Sequence, residues 1–513
     1  MPPRKKQKPI PEQRTFLFKN PSRAEINKFE EVIDALMHSE AIKKYPSLSE
    51  MTKAAFQDPR ERRQAILSRL DTNRGLFFKI NKRIGDKTRL SPMERIEEIL
   101  VMLWEYIRVG ETERKLYGEV MTPIDLVEEM LDGLPKEVWS NPKLKWLDPA
   151  NGCGIFPAVI LKRLMIGLEH WEPSEEKRYK HIMEKMLHVC ELQPKNMFIY
   201  LCAFDPKDKY ALNIYTGSFL TEEFDQHSQE IWGVEQFDVI VGNPPYQTGK
   251  EGERKTHPIW DKFVERKLRC LKDGGFLTTI HPSGWRMVTG IFKNIQRMLR
   301  KHDMLILSLN DKYRGVKVLG AKTTFDWYCL RKTHTNQTTR VKCQNGTWVE
   351  TNLKKLEFIP NNHFEEIEKL IGKDNDQKTT VVHSYSAYET RKPHMRPGKD
   401  KTHIYPCIYL VKHRDVVVSH FSSERGEHFG IPKVIWSNGS AKSLGCICDT
   451  EGQYGMTQFA YAIIDEPAVL PQIKRAIDSK KFRTLIDEAT LNDDLNHKVV
   501  SLFRKDFWKE FIE

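Results

Sequence analysis

Apolar residues change their spacing twice along this chain, and the changes divide it into three regions. Between residues 21 and 110 they recur at helical intervals. Ile26, Phe29, Val32, Ile33, Leu36 and Met37 fall on one face, and Met93 to Ile107 repeats the pattern after Ser91-Pro92, a helix-start signal. From about residue 117 short apolar runs alternate with helical stretches. Strands are predicted at 144–148, 187–191, 237–241, 276–280, 304–309 and 325–330, with helices at 155–168 and 258–271. That alternation predicts a mostly parallel α/β sheet with right-handed crossovers. After about residue 333, strand-like segments at 379–384, 404–412, 415–420 and 433–436 are mixed with irregular sequence. From about 466 helices follow, with Phe503, Phe507 and Phe511 at amphipathic spacing. The expected division is a basic, mostly helical region at 1–115, an α/β domain at 116–333 and a mixed α+β domain at 334–513.

Composition narrows the class. The chain has 513 residues, 39% hydrophobic and 30% charged, which suits a soluble protein of two to four domains. No apolar stretch is long enough to cross a bilayer, and basic Met1–Pro9 is not followed by the apolar segment of a secretory signal. That terminus reads equally as a nuclear address or as an arm touching phosphates. A net charge of +12 and a pI near 9.0 favour a polyanionic partner. Arg60, Arg62, Arg63, Lys79, Lys82, Arg83, Lys87 and Arg89 make the densest basic stretch, which is either a phosphate-facing surface or a solvated helix face. The nine cysteines are scattered, and only Cys446 and Cys448 stand close. No zinc-ligand spacing occurs, so the expectation is reduced thiols in an intracellular protein without a metal.

Chemistry concentrates where strands end. Residues 238–246 read Asp-Val-Ile-Val-Gly-Asn-Pro-Pro-Tyr, an apolar strand running into a proline-stiffened turn that carries an aromatic. Each proline fixes its own φ and biases the preceding residue toward extended backbone. The Asn243 side-chain oxygen and the Pro244 carbonyl can therefore be held as a rigid pair of acceptors for the two hydrogens of one planar NH2 group. Read alone, the same residues suit a surface turn. A second corner follows strand 144–148: Asp148-Pro149-Ala150-Asn151-Gly152-Cys153-Gly154-Ile155-Phe156 gives an acidic strand end, a glycine turn and a helix start, as in nucleoside-binding sites. Position 157 is proline, so the dinucleotide fingerprint is broken and NAD is disfavoured. Glu191 closes the next strand, where a carboxylate can accept both hydroxyls of a ribose.

Tyr117-Gly118-Glu119-Val120-Met121-Thr122-Pro123, then the 148–156 corner, then Asn243-Pro244-Pro245-Tyr246 occur in that order. Over roughly residues 115–330 the chain thereby resembles the gamma-type amino-group DNA methyltransferases, which use S-adenosylmethionine and include the modification enzymes of restriction systems. The resemblance implies a Rossmann-like methyltransferase sheet followed by a target-recognition domain at 334–513. It implies that Thr122 and Pro123 lie against the methionine part of the cofactor. Asp148, Asn151, Gly152 and Gly154 would cradle it, Glu191 would hold the ribose, and Asn243 would also border the cofactor. The family usually carries an acidic pair after the third strand. Here Gly217-Ser218-Phe219-Leu220 stands in its place, leaving Phe219 to pack on the adenine and Ser218 or Asp205 to replace the carboxylate.

The implied reaction is N6 methylation of an adenine flipped out of duplex DNA. Asn243, Pro244, Pro245 and Tyr246 form its catalytic turn, with Tyr246 stacking on the base. Tyr313, or else Phe325, covers the other face, and His281-Pro282-Ser283-Gly284-Trp285-Arg286 edges the pocket. Arg391, Lys392 and Arg396 in the basic loop at 391–401 would touch the nucleic acid. Expected partners are double-stranded DNA and a separate cognate restriction endonuclease. The expected location is DNA-associated in the cytoplasm, or nuclear in a eukaryote. Three alternatives stay open: methylation of a protein glutamine or of RNA, a fused nuclease, and a non-catalytic DNA-binding module. Residues 1–115 contain no convincing nuclease set of Pro-Asp with a downstream Asp/Glu-x-Lys.

Overall fold

The computed structural model describes residues 91–106 and 120–512, except for 194–195, 198–199, 201–202, 206–208, 250–255, 288–289, 336–337, 374, 385, 413–415, 438–444 and 492–496. The predicted helix at 25–37, the basic stretch at 60–89 and the Tyr117-Gly118-Glu119 lead-in lie outside the described residues. Those described fall into two compact units. The smaller holds 92–106, Trp139–Lys143 and Ala150–Gly233. The larger holds 120–138, Leu144–Pro149 and the chain from Val234.

In the smaller unit, helix α1 (Pro92–Tyr106) packs against α3 (Ile155–Gly167). Ser91 caps the start of α1 reciprocally with Glu94: the Ser91 N–H donates to Glu94 Oε2 and the Glu94 N–H to Ser91 Oγ. Helix α3 is apolar on nearly every face. Phe156, Ala158, Val159, Ile160, Leu161, Leu164 and Met165 are all buried, so it sits inside the unit. Pro157 is tolerated because the N–H it lacks falls in the first turn, where helix donors have no intrahelical partner. Strands β2 (Leu187–Glu191) and β3 (Asn213–Thr216) pair in parallel.

The larger unit carries β1 (Trp146–Asp148), β4 (Phe237–Gly242), β5 (Leu271–Pro282), β6 (Asp303–Asn310), β7 (Phe325–Arg331), β8 (Thr339–Lys342) and β9 (Trp348–Thr351). Their order is β9-β8-β6-β7-β5-β4-β1. β1, β4 and β5 run parallel, while β7 lies antiparallel between β5 and β6. β8 returns parallel to β6 and β9 closes antiparallel on it. The sheet is Rossmann-like and mixed: β1, β4, β5, β6 and β8 run one way, as the alternation suggested, while β7 and β9 run against them. It also continues past residue 333 through Thr351. β4 is an inner strand, between β1 and β5, and Val239, Ile240 and Val241 are fully buried, as both faces of an inner parallel strand require. Helix α2 (Ile124–Leu131) packs on β5 and β7, and α4 (Trp260–Cys270) packs on β5.

Beyond the large sheet lie two four-stranded sheets. One has the order β10 (Thr380–Val382), β17 (Ala460–Ile464), β14 (Lys433–Ser437), β15 (Cys446–Asp449). The other runs β11 (Met395–Arg396), β13 (Val416–Ser422), β12 (Tyr405–Lys412), β16 (Gly455–Met456). The first packs Val434, Trp436, Tyr461 and Ile463 against helices Leu470–Asp478 and Lys480–Ala489, with Phe503 and Phe507 in the same core. The tail begins with the predicted helices, but Phe503 lies in an isolated β-bridge with Ile371 and Phe507 opens a short 3-10 turn, so the three phenylalanines reach this core without sharing one helix. Phe511 is only partly buried at its edge.

Candidate active site

In the larger unit the turn after β4 is held from beneath and from the side. Gly242 has φ +130°, and a Cβ there would lie 2.5 Å from Asp148 Oδ1, so backbone and carboxylate pack too closely for any side chain. Asn243 follows. Its Nδ2 donates to Thr122 Oγ1 at 3.0 Å, and its Oδ1 is buried with no hydrogen-bond partner. An amide whose nitrogen is committed and whose oxygen is unmet is an acceptor awaiting a donor. Thr122 and Pro123 lead into α2, whose first-turn N–H groups at Leu126 and Val127 donate to the Pro123 carbonyl. Pro244 is buried, and Pro245 and Tyr246 are half-buried. The Tyr246 hydroxyl is buried without a partner, and burial raises its pKa above the ordinary phenol value. Its carbonyl accepts the Ile259 N–H at 3.1 Å, which pins the far side of the turn.

Sequence reading missed the support behind this turn. Lys267 on α4 is fully buried; its Nζ donates to Thr279 Oγ1 at 2.8 Å and reaches the Gly242 carbonyl at 3.4 Å. Thr279 Oγ1 in turn donates to the Gly242 carbonyl at 3.0 Å. Desolvation lowers the Lys267 pKa to about 7, with the Asp148 carboxylate opposing the shift. The signal was available: Trp260, Phe263, Val264, Lys267 and Leu268 share one helical face, so a lysine stands in an apolar stripe.

The segment 281–286 is anchored in the core. His281 stacks on Trp260, ring centroids 4.3 Å apart and planes 13° apart. Asp326 on β7 accepts from Ser283 Oγ, Trp285 Nε1 and Arg286 Nε. Of the two aromatics expected over the base, Phe325 is fully buried in β7. Tyr313 is 75% exposed on α6 (Lys312–Leu319; α5 is Lys293–Lys301), its ring near Lys312 Nζ. In the basic loop, Arg391 pairs with Glu389 and Arg396 with Asp400.

In the smaller unit the glycine turn fits a cradle. The Asn151 N–H donates to the Cys190 carbonyl at 3.0 Å, and its Oδ1 is buried and unpartnered. Gly152 has φ +55°, with nothing within 4 Å of an added Cβ. At Gly154, φ +103°, a Cβ would strike Tyr200 and Phe204 at 2.8 Å. Glu191 is already a strut of this turn. Its Oε2 accepts the Gly152 N–H at 2.7 Å, and its Oε1 accepts the Gln193 N–H at 2.8 Å and Asn196 Nδ2 at 3.5 Å. Phe219 is 1% exposed and packs edge-on against Phe224, while the Ser218 hydroxyl accepts the Leu220 N–H. The Asp205 carboxylate accepts the N–H groups of Lys209 and Tyr210. Among the described residues, no helix is long and apolar enough to cross a membrane.

Residues 163–312 match the family model described as Eco57I restriction-modification methylase. An uncharacterized adenine-specific methylase of Mycoplasma pneumoniae is 28% identical over an alignment covering 36% of this chain, and the chain spans 60% of that relative's length. Among solved structures, a nuclease-deletion mutant of the Type ISP restriction-modification enzyme LlaGI, in complex with a DNA substrate mimic, aligns at 11% identity and TM-score 0.47. It covers 94% of this chain and 54% of its own. The Type IIL restriction-modification enzyme MmeI, in complex with DNA, aligns at 10% identity and TM-score 0.47, covering 93% and 86%. The matched residues include β4 and its Asn-Pro-Pro-Tyr turn, the last of the three motifs that carry the resemblance in the sequence.

Proposed function

We propose that this chain transfers a methyl group from S-adenosylmethionine to the N6 amino group of an adenine flipped out of duplex DNA, as the modification activity of a restriction-modification system. The observation that carries the reading is the buried, unpartnered Asn243 Oδ1 beside an amide nitrogen fixed on Thr122. Such an oxygen accepts one N–H of a planar amine, and the Pro244 carbonyl is assigned the other. Both bonds strengthen as positive charge grows on that nitrogen, so they act on the transition state. The cofactor, when bound, supplies an electrophilic methyl. The glycine turn with the unmet Asn151 Oδ1 is the part of the smaller unit we assign to holding it. Tyr246 supplies a ring face for the base. The proton leaves once the amine is cationic, so no strong base is required of the protein.

The substrate follows from chemistry and charge. A net charge of +12 suits a phosphate backbone, and the relative from Mycoplasma pneumoniae is described as adenine-specific. Residues from about 334 are assigned to target recognition. Arg391 and Arg396 must exchange Glu389 and Asp400 for phosphates to take part. A cognate endonuclease on a separate chain completes the proposed system.

Label transfer from radiolabelled cofactor to duplex DNA, RNA and protein in parallel tests the reading. Duplex DNA should be labelled at adenine N6, and Asn243→Ala should keep cofactor binding while losing transfer. Label on a protein glutamine or on RNA would replace the substrate assignment. Undiminished turnover in Asn243→Ala would refute the mechanism.

A further inference from the structure

Lys267 has no role in the reading above, yet it is a fully buried lysine in the structure's most chemically loaded neighbourhood. Its ammonium faces Thr279 on β5 and the Gly242 carbonyl on β4. Asp148 on β1 and His281 on β5 are close enough to interact electrostatically with it. Burying an ammonium is costly, and a leucine or methionine would fill the same stripe of α4 without that cost.

The three groups form a directed chain. The Lys267 ammonium donates to the Thr279 hydroxyl at 2.8 Å, and that hydroxyl donates to the Gly242 carbonyl at 3.0 Å. A charged donor polarises the hydroxyl and strengthens the bond it makes onward. Gly242 and Thr279 are also register partners between β4 and β5. The carbonyl so gripped belongs to the peptide that joins Gly242 to Asn243. Fixing its plane fixes the direction in which the Asn243 side chain and the Pro244 carbonyl leave the strand. The Gly242 backbone, at φ +130°, lies in a region that its own local preferences do not determine.

We propose that Lys267, acting through Thr279, is a positioning residue that aims the Asn243–Pro244 acceptor pair at the target amine. The inference rests on the methyl-transfer reading and deepens it. Its effect falls on alignment during transfer and not on uptake of the cofactor.

The test measures steady-state methyl transfer to duplex DNA and cofactor affinity by calorimetry for Lys267→Met, Thr279→Val and Thr279→Ser. Misalignment by a fraction of an ångström to 1 Å costs on the order of 10- to 100-fold in rate. Lys267→Met and Thr279→Val should therefore each lose roughly tenfold or more in kcat, with cofactor affinity near that of the wild type. Thr279→Ser should recover most of the activity lost in Thr279→Val. The double variant Lys267→Met/Thr279→Val should be little worse than the poorer single one, because the two act in series. Wild-type kcat in Thr279→Val or in a folded Lys267→Met would overturn the inference. So would a loss confined to cofactor affinity, or a serine variant as impaired as the valine one. If Lys267→Met does not fold, the two Thr279 variants decide. Failure of the wild-type chain to label any acceptor would strike the methyl-transfer reading itself, an outcome separate from all of these.

Discussion

Arg286 and Asp326 meet as an ion pair from which water is wholly excluded. Nε lies 2.8 Å from Oδ2, and neither side chain is exposed. Each partner is otherwise satisfied. Asp326 also accepts from Ser283 and Trp285, and Arg286 donates to the Ile359 carbonyl and to Asn361 Oδ1. Asn361 in turn donates to the Thr490 carbonyl, so the network reaches from the segment after β5 to the helices near the end of the chain. Burial raises the Asp326 pKa, while Arg286 and the three donors oppose the rise. Breaking such a pair leaves a bare charge in the core, which costs about 3–5 kcal/mol. Asp326→Asn should lose on the order of 3 kcal/mol in urea unfolding. The double variant Asp326→Asn/Arg286→Met should lose less than the two single variants together, because no isolated charge remains. A midpoint for Asp326→Asn equal to wild type would contradict the exclusion of water from the pair.

How much of this could be read from the sequence differs between elements. The predicted strand at 187–191 is β2 without change, and those at 237–241, 304–309 and 325–330 match β4, β6 and β7 to within one residue at each end. Apolar runs bounded by turn residues fix where a strand is. They do not fix its direction. β7 is buried at every position from Phe325 to Leu330, so no alternation marks a face, and its antiparallel course between β5 and β6 was invisible. β3 was missed because Asn-Ile-Tyr-Thr offers only two apolar residues after a polar start. The Asn243 turn was legible because proline and glycine restrict backbone locally. The supports beneath it, Thr122 and Lys267, were not assigned that role because each acts from a different element. Lys267 alone left a trace, as a charge in an apolar stripe.

His281 makes the stability acid-sensitive. Its ring is fully buried against Trp260, its Nδ1 lies 3.0 Å from the Pro282 carbonyl and its Nε2 lies 3.1 Å from the Tyr328 hydroxyl. Those partners suit a neutral ring that donates from Nδ1 and accepts at Nε2. Desolvation, opposed by the Pro282 carbonyl and aided by the Lys267 charge, lowers the pKa to about 3. The unfolded chain, with an ordinary histidine near 6.5, binds more protons than the folded one between those values. Stability therefore falls as pH drops from about 6.5 toward 3. The melting temperature of wild type should decline across that window, and His281→Gln should show a shallower decline. Parallel curves for the two proteins would remove the histidine from the account.

Gly152 and Gly154 separate a backbone cost from a steric one. Both have positive φ, so alanine at either costs about 1–2 kcal/mol. At Gly152 an added methyl meets no protein atom within 4 Å, whereas at Gly154 it meets Tyr200 and Phe204 at 2.8 Å. Gly154→Ala should therefore be the less stable protein. Gly152→Ala should fold and yet lose cofactor affinity beyond what its stability explains, because the open side of that turn is where we place the ligand. Calorimetric titration with S-adenosylmethionine and thermal unfolding of both variants distinguish the two costs. Unchanged affinity in Gly152→Ala would move the cofactor away from this turn.

Thr122 tests whether the orientation of Asn243, and not only its presence, matters. Thr122 is 5% exposed, and its hydroxyl is the acceptor that fixes which end of the amide faces outward. Thr122→Val keeps the shape and removes that acceptor. The amide nitrogen then loses a partner worth about 1–3 kcal/mol, and rotation of the amide to offer its nitrogen to the substrate becomes competitive. A donor facing the target N–H cannot accept from it, so the populated orientation turns unproductive. A bias of about 1.4 kcal/mol is a tenfold loss in productive enzyme. Thr122→Val should thus lower kcat by roughly tenfold, with binding of duplex DNA little changed in a filter or anisotropy assay. Thr122→Ser, which restores the hydroxyl, should recover most of the rate. If valine and serine behave alike, the threonine acts by packing alone and the amide is oriented by something else.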